Sequence, residues 1–329
     1  MSLLVVEIHT RPLLEFSYAE RIIESIDVIA VPFFFLASSF LCFRGLNEKA
    51  FFDAAAPGAM RVRNTIIKLT RLYFIWTLIF LPVTIFGNKL LGKSHVQALL
   101  SFLRGTLLIG ENCYSWPLWY LLASIVAYAL IYYLLRKGMR LNRIIPLSFF
   151  LLLIGYVITY LQNWNSAPIF ISFPIKIYTL IFGSSRNGLF EGFFYISMGA
   201  AFGMKWNSLN KTPASLIFAI VAIGIIGNLL ISNDAHLPFC ALASIGIFLI
   251  TVRRYGSNLD PHVGARHMST ITYLVHMILV VIFIYGINCG TNPDLYANSV
   301  NRLLLYLFTL CGSFLISSVV ITASKKKHF

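Results

Sequence analysis

The stretch RVRNTIIKLTRLYFIWTLIFLPVTIFG (residues 61–87) carries Arg61, Arg63, Lys68 and Arg71 in its first half and no charge after them. An apolar run of about 20 residues is the length that crosses the hydrocarbon core of a bilayer as a helix. A basic cluster at one mouth of such a run is the mark of a cytoplasmic loop. The span is placed at 66–87, and the same pattern repeats outward from it. Further apolar runs lie near 26–44, 116–135, 144–161, 189–204, 214–232, 236–252, 268–287 and 302–322, and a stub at 1–10 makes a tenth. The expected fold class is therefore an all-α integral membrane protein of about ten transmembrane helices. Its first helix is short or truncated, and residues 1–329 form a single domain.

Composition agrees. The 329 residues are 58% hydrophobic and 12% charged, against about 25% charged in soluble domains, and the mean hydropathy is +0.79. No polar stretch is long enough for a separate soluble domain. The first residues lack a basic leader and a small-residue cleavage site, so they do not read as a signal peptide. The net charge of +14 has a simpler origin than nucleic-acid binding. With Lys325, Lys326 and Lys327 placed inside and the spans alternated backwards, the inner segments hold 18 of the 26 basic residues and the outer ones 8. This supports both termini in the cytoplasm. It places His9 at the outer end of the first helix and Arg71 at the inner end of the third. The five cysteines show no metal-type spacing and no C-x-x-C, so no metal site is expected.

Two stretches fit no simple span. Residues 95–110 (HVQALLSFLRGTLLIG) have helical spacing but contain Arg104 and Gly105, and read as an interfacial or re-entrant helix. Residues 165–187, with Pro168 and Pro174, suit an outer loop on the membrane surface.

The polar residues inside this apolar frame are the candidates for chemistry. LLVVEIHTRP (3–12) places His9 just past an apolar run. Lys68 and Arg71 share a helical face at i, i+3, suited to a phosphate or pyrophosphate and equally to ordinary positive-inside decoration. Glu111, in GENCYSWPLWYLLA (110–123), is an outer-side acid that could orient an imidazole. Arg186 and Glu191 flank the entry to an outer helix rich in small residues, SSRNGLFEGFFYISMGAAFG (184–203). Glu191 is costly to bury alone, so Arg186 or His9 is its expected partner. The small residues there allow close helix approach. His276, in MSTITYLVHMILVV (268–281), is either a packed, hydrogen-bonded residue or a functional one. No nucleotide-binding GxxxxGK[ST] or GxGxxG is present, nor HExxH or GxSxG.

Taken in order, VVEIH ending at His9, VPFFFLASS (31–39), KLTRLYFIW (68–76), PLWYLLA (117–123), RNGLFEGFFYISMG (186–199) and STITYLVH (269–276) resemble the motifs of the acyltransferase-3 family of bacterial membrane O-acyltransferases. The resemblance covers nearly the whole chain. It implies a ten-helix core, His9 as the catalytic histidine, and Lys68 and Arg71 as the basic pair engaging acyl-coenzyme A. It also implies Glu111 as an acidic functional position. The chain departs from the pattern in three places. Lys68 stands for the first arginine, Ser38-Ser39 for Ser-Gly, and the family's basic residue eleven positions before the histidine would fall ahead of Met1.

The function so implied is transfer of an acyl group, most simply acetyl, from cytoplasmic acetyl-CoA as co-substrate, with no permanently bound cofactor. The acceptor is a hydroxyl of an extracytoplasmic or lipid-linked glycan, such as a lipopolysaccharide or exopolysaccharide. The partners are thus acyl-CoA, the saccharide and the lipid bilayer, without nucleic acid, in the bacterial inner membrane. A transporter or flippase of a small polar molecule is the alternative, its intramembrane charges lining a path.

Overall fold

The structure is a computed structural model that describes residues 1–164, 166–206, 211–230, 237–255, 263–287 and 299–326. Among these residues it is helical, without strands. In chain order the helices are α1 (Ser2–Thr10), α2 (Ser17–Asp27), α3 (Ala30–Phe43), α4 (Pro57–Leu90), α5 (His95–Arg104), α6 (Trp119–Arg136), α7 (Leu141–Asn163), α8 (Ile169–Phe182), α9 (Phe193–Met204), α10 (Ala214–Leu230), α11 (Leu237–Tyr255), α12 (Val263–Val281) and α13 (Ser299–Lys326).

Six helical stretches among the described residues are long and apolar enough to cross a membrane: Ser17–Phe43, Pro57–Leu90, Trp116–Arg136, Leu141–Asn163, Gly264–Gly286 and Val300–Ala323. They make this an integral membrane protein. The described residues of the other stretches expected to span are also helical, but these stretches are not among the six. The stub at the start is a 9-residue helix, about 14 Å long at 1.5 Å per residue. The 189–204 stretch begins as a π turn, Gly188–Gly192, before the 12 residues of α9. α10 has 17 residues and α11 has 19. The interfacial stretch at 95–110 does form a helix. α5 opens on a capping box in which Ser94 and Gln97 bond each other's backbone N–H groups, and no residue of α5 is buried. The surface loop expected at 165–187 is largely helical, as the 14-residue α8, also with no buried residue.

The tightest seam is between α3 and α9. A Cβ on Gly199 would stand 2.6 Å from the Leu36 carbonyl, and one on Gly203 2.8 Å from that of Phe40. The two backbones approach so closely only because those positions lack side chains. Ser39 Oγ donates to the Ile196 carbonyl at 2.6 Å across the same seam. A core of Phe35, Leu36, Phe40, Phe43, Tyr128 and Phe193 surrounds it. A second core joins Val5 of α1 to Tyr73, Phe80, Leu118, Tyr273 and Met277. α1 is thereby held against α12 and α13, which fixes where its last residues point.

Candidate active site

α1 ends at Thr10, whose hydroxyl donates to the Val6 carbonyl at 2.8 Å. The next residue, Arg11, takes a left-handed conformation, φ 45°, ψ 59°. That conformation is uncommon for a residue with a side chain and costs roughly 1 kcal/mol. Its N–H nevertheless bonds the Glu7 carbonyl at 2.8 Å, and Pro12 then prevents helix from continuing. The Arg11 guanidinium locks the turn, with Nε 2.7 Å from Glu20 Oε1 and a second nitrogen on Glu24. Glu20, Glu24 and Asp27 sit at i, i+4 and i+7 on α2 and so share one face. The turn folds that acidic face back over the end of α1.

His9, two residues before the reversal at Arg11, is half-buried. Its imidazole stacks on Trp116, with ring centroids 5.6 Å apart and planes at 24°. It also lies against the ring of His276 at 5.2 Å and 31°. Trp116 belongs to a 3₁₀ turn, Trp116–Leu118, which the Tyr273 hydroxyl ties down by donating to the Pro117 carbonyl at 2.8 Å. Tyr273 and His276 are one turn apart on α12, so one helix both anchors the turn carrying Trp116 and supplies the second imidazole. His276 is fully buried. The backbone of Thr272 and Tyr273 approaches its ring without completing a well-aligned hydrogen bond. The structure thus brings together two histidines 267 residues apart in the chain.

His9 opens on a cavity of about 320 Å³, also lined by Glu7, Arg11, Glu20, Glu24, Asp27, Trp119, Arg186 and Tyr273. Arg186 lies with its guanidinium carbon 5.2 Å from the Trp119 ring centre, a cation–π contact. It also pairs with Glu191, Nε to Oε2, at 3.5 Å. At that separation the contact is an ion pair more than an aligned hydrogen bond, and Glu191 Oε2 has no hydrogen-bond partner. Glu191 is 2% exposed. It is held there by the π turn that the Asn187 side chain caps, accepting from the Leu189 and Phe190 N–H groups. Of the two partners expected for Glu191, the structure supplies Arg186.

The other candidates stand apart from His9. Glu111 occupies the connection before Trp116 and is half-buried. It forms neither a hydrogen bond nor an ion pair with His9 among the described residues. Burial pushes its carboxyl above the usual range, and the field of Arg186 pulls it partly back. Lys68 and Arg71 are exposed on α4 and do not line the cavity. What the sequence reading did not assemble is the acidic wall and the Trp116 platform. The wall had a signal in the spacing of Glu20, Glu24 and Asp27 in SYAERIIESID (17–27). The platform had none, because it joins three distant segments.

The geometry is that of a membrane-helix site built around a half-buried imidazole beside a small polar cavity. A family profile described as an acyltransferase domain matches residues 2–322. The chain therefore belongs to the acyltransferase-3 family. Among curated proteins it is similar to an amino-acid racemase of Enterococcus faecalis, 26% identical over 68% of this chain and 29% of that protein. It is also similar to a serine/alanine racemase of Enterococcus gallinarum, 25% identical over 84% of this chain and 39% of that protein. The chain thus spans well under half the length of these curated relatives. No solved structure matches it.

Proposed function

We propose that the protein is an O-acyltransferase of the bacterial inner membrane, with both termini in the cytoplasm. It moves an acyl group, acetyl in the simplest case, from cytoplasmic acyl-CoA to a hydroxyl of an extracytoplasmic or lipid-linked glycan. One observation carries the reading: His9 exposes its imidazole to a 320 Å³ cavity while Trp116 and His276 hold its other surfaces. In this mechanism His9 takes the proton of the acceptor hydroxyl as its oxygen attacks the thioester carbonyl. The C–S bond then breaks, an ester forms, and the coenzyme A thiolate leaves and is protonated. His276 and Trp116 are positioning residues that fix the plane of the His9 ring. Lys68 and Arg71 face the phosphates of coenzyme A from the basic mouth of α4, Arg71 offering a two-pronged contact. Glu111 acts through Arg186, setting the charge of the cavity wall. The racemase names belong to proteins of which this chain matches less than half, and racemisation is not part of the proposal.

The test is transfer of radiolabel from acetyl-CoA to saccharide in inside-out membrane vesicles bearing the protein. Label in saccharide with wild type and none with His9→Ala supports the reading. Equal labelling by the two rejects it.

A further inference from the structure

The His9 cavity has more negative charge than its own cations answer. Four carboxylates line it, Glu7, Glu20, Glu24 and Asp27, with two guanidinium groups, Arg11 and Arg186. Arg11 is taken up by Glu20 and Glu24, and Arg186 by Glu191 behind the wall. Among the described residues that line the cavity no further cation faces Glu7 and Asp27, whose carboxyl groups lie within hydrogen-bond reach of each other. Three of the acids are more than nine-tenths buried: Glu7 is 8% exposed, Glu20 6% and Asp27 4%. Each keeps one buried oxygen without a hydrogen-bond partner: Glu7 Oε1, Glu20 Oε2 and Asp27 Oδ1. Buried carboxylate oxygens left unmatched are costly, and such groups seek either a proton or a cation. The acids do not converge as metal ligands do among the described residues. A primary ammonium suits the wall better, since it is a compact charge with three donors and no acceptor, set against the unmatched oxygens Glu7 Oε1, Glu20 Oε2 and Asp27 Oδ1.

We propose that this cavity selects a ligand bearing a primary ammonium next to a hydroxyl, that is, a 2-amino-alcohol unit, with Glu7, Asp27 and Glu20 receiving the ammonium. The volume is at the lower end for small-molecule sites, enough for one sugar ring or a small amino alcohol. His9 lines the same space, so the neighbouring hydroxyl is the group it meets. The word acceptor for this ligand rests on the acyl-transfer reading; the charge selection does not.

The experiment is isothermal titration of the full-length protein in detergent at pH 7. Two matched pairs are used: methyl glucosaminide against methyl glucoside, and ethanolamine against ethylene glycol. In at least one pair the amine binds ten times or more tighter than its neutral partner, and which pair responds tells an amino sugar from a small amino alcohol. Asp27→Asn reduces that preference to about twofold and leaves binding of the neutral compound unchanged. Glu7→Gln does the same and serves if Asp27→Asn fails to fold, as judged by its unfolding midpoint. Equal binding of amine and neutral partner by wild type, or a preference intact in the variants, overturns the proposal. Charge-selective binding without any acyl transfer would sink the enzymatic reading alone. Transfer that proceeds equally well to neutral and amino acceptors would sink this proposal alone.

Discussion

The His9 cavity and the Lys68–Arg71 face of α4 were both marked by polar residues at the end of an apolar run, yet they are built differently. His9 is enclosed by groups from three segments: Trp116, His276 and the acidic face of α2. Lys68 and Arg71 stand exposed on a single helix, and their shared face follows from i, i+3 spacing alone. The first is a site made by tertiary packing, insensitive to salt and sensitive to small displacements. The second is a charge pair in solvent, sensitive to salt and tolerant of displacement. That contrast sets the expected size of each perturbation.

The largest effect falls on His9. His9→Ala lowers the acyl-transfer rate by about 10²–10⁴-fold, measured as initial rates of labelled acetyl transfer, and raising the salt concentration does not change that ratio. Next comes His276, which touches His9 without lining the cavity. Because small misplacements of reacting groups cost up to about 100-fold, His276→Ala lowers kcat by about 10–100-fold while KM for acetyl-CoA holds. If His276→Ala abolished transfer while His9→Ala retained it, the chemistry would belong to α12. Arg71→Ala leaves kcat in place and raises KM for acetyl-CoA about tenfold, from the loss of a charge-assisted contact. High salt shrinks that difference. A salt-independent effect would mean that Arg71 works inside a closed site, and the contrast would fail.

Away from the chemistry, Gly199→Ala forces a Cβ to within 2.6 Å of the Leu36 carbonyl. Overpacking of this kind costs about 1–3 kcal/mol, read as a lowered unfolding midpoint in detergent. The smallest effect concerns Glu111. Burial raises its carboxyl above the ordinary range in the folded protein, so the folded state favours the protonated form. Stability from this group is present at low pH and falls as pH climbs through the raised value. Glu111→Gln removes that fall. A comparison of unfolding midpoints between pH 4 and pH 8 shows wild type losing ground to the variant at the higher pH; an opposite trend would show that Glu111 is held ionised.

The contrast also explains what could be read from the order of residues. Apolar runs and the spacing of Gly199 and Gly203 are local signals, and the helices and the α3–α9 seam follow from them. The π turn at Gly188–Gly192 and the short α8 are less readable. Hydropathy counts apolar residues but does not register the π turn that the Asn187 cap sets at the start of its run. Among the described residues, six of the ten apolar stretches are long and apolar enough to cross. Within the site, the Arg186–Glu191 pair was foreseen because the two are five residues apart and a lone buried acid needs a cation. The His9–Trp116–His276 group was not, since no spacing in the chain connects those rings. The acidic wall lay between these cases. Its i, i+4, i+7 pattern was present, but only the left-handed turn at Arg11 aims it at His9.

The most direct measurement of the central claim is acetyl transfer by wild-type protein and by His9→Ala in inside-out vesicles, with both proteins shown to be folded by matching unfolding midpoints. The account predicts saccharide labelling by wild type and a loss of at least 100-fold in the variant. Undiminished labelling by a folded His9→Ala protein would contradict it.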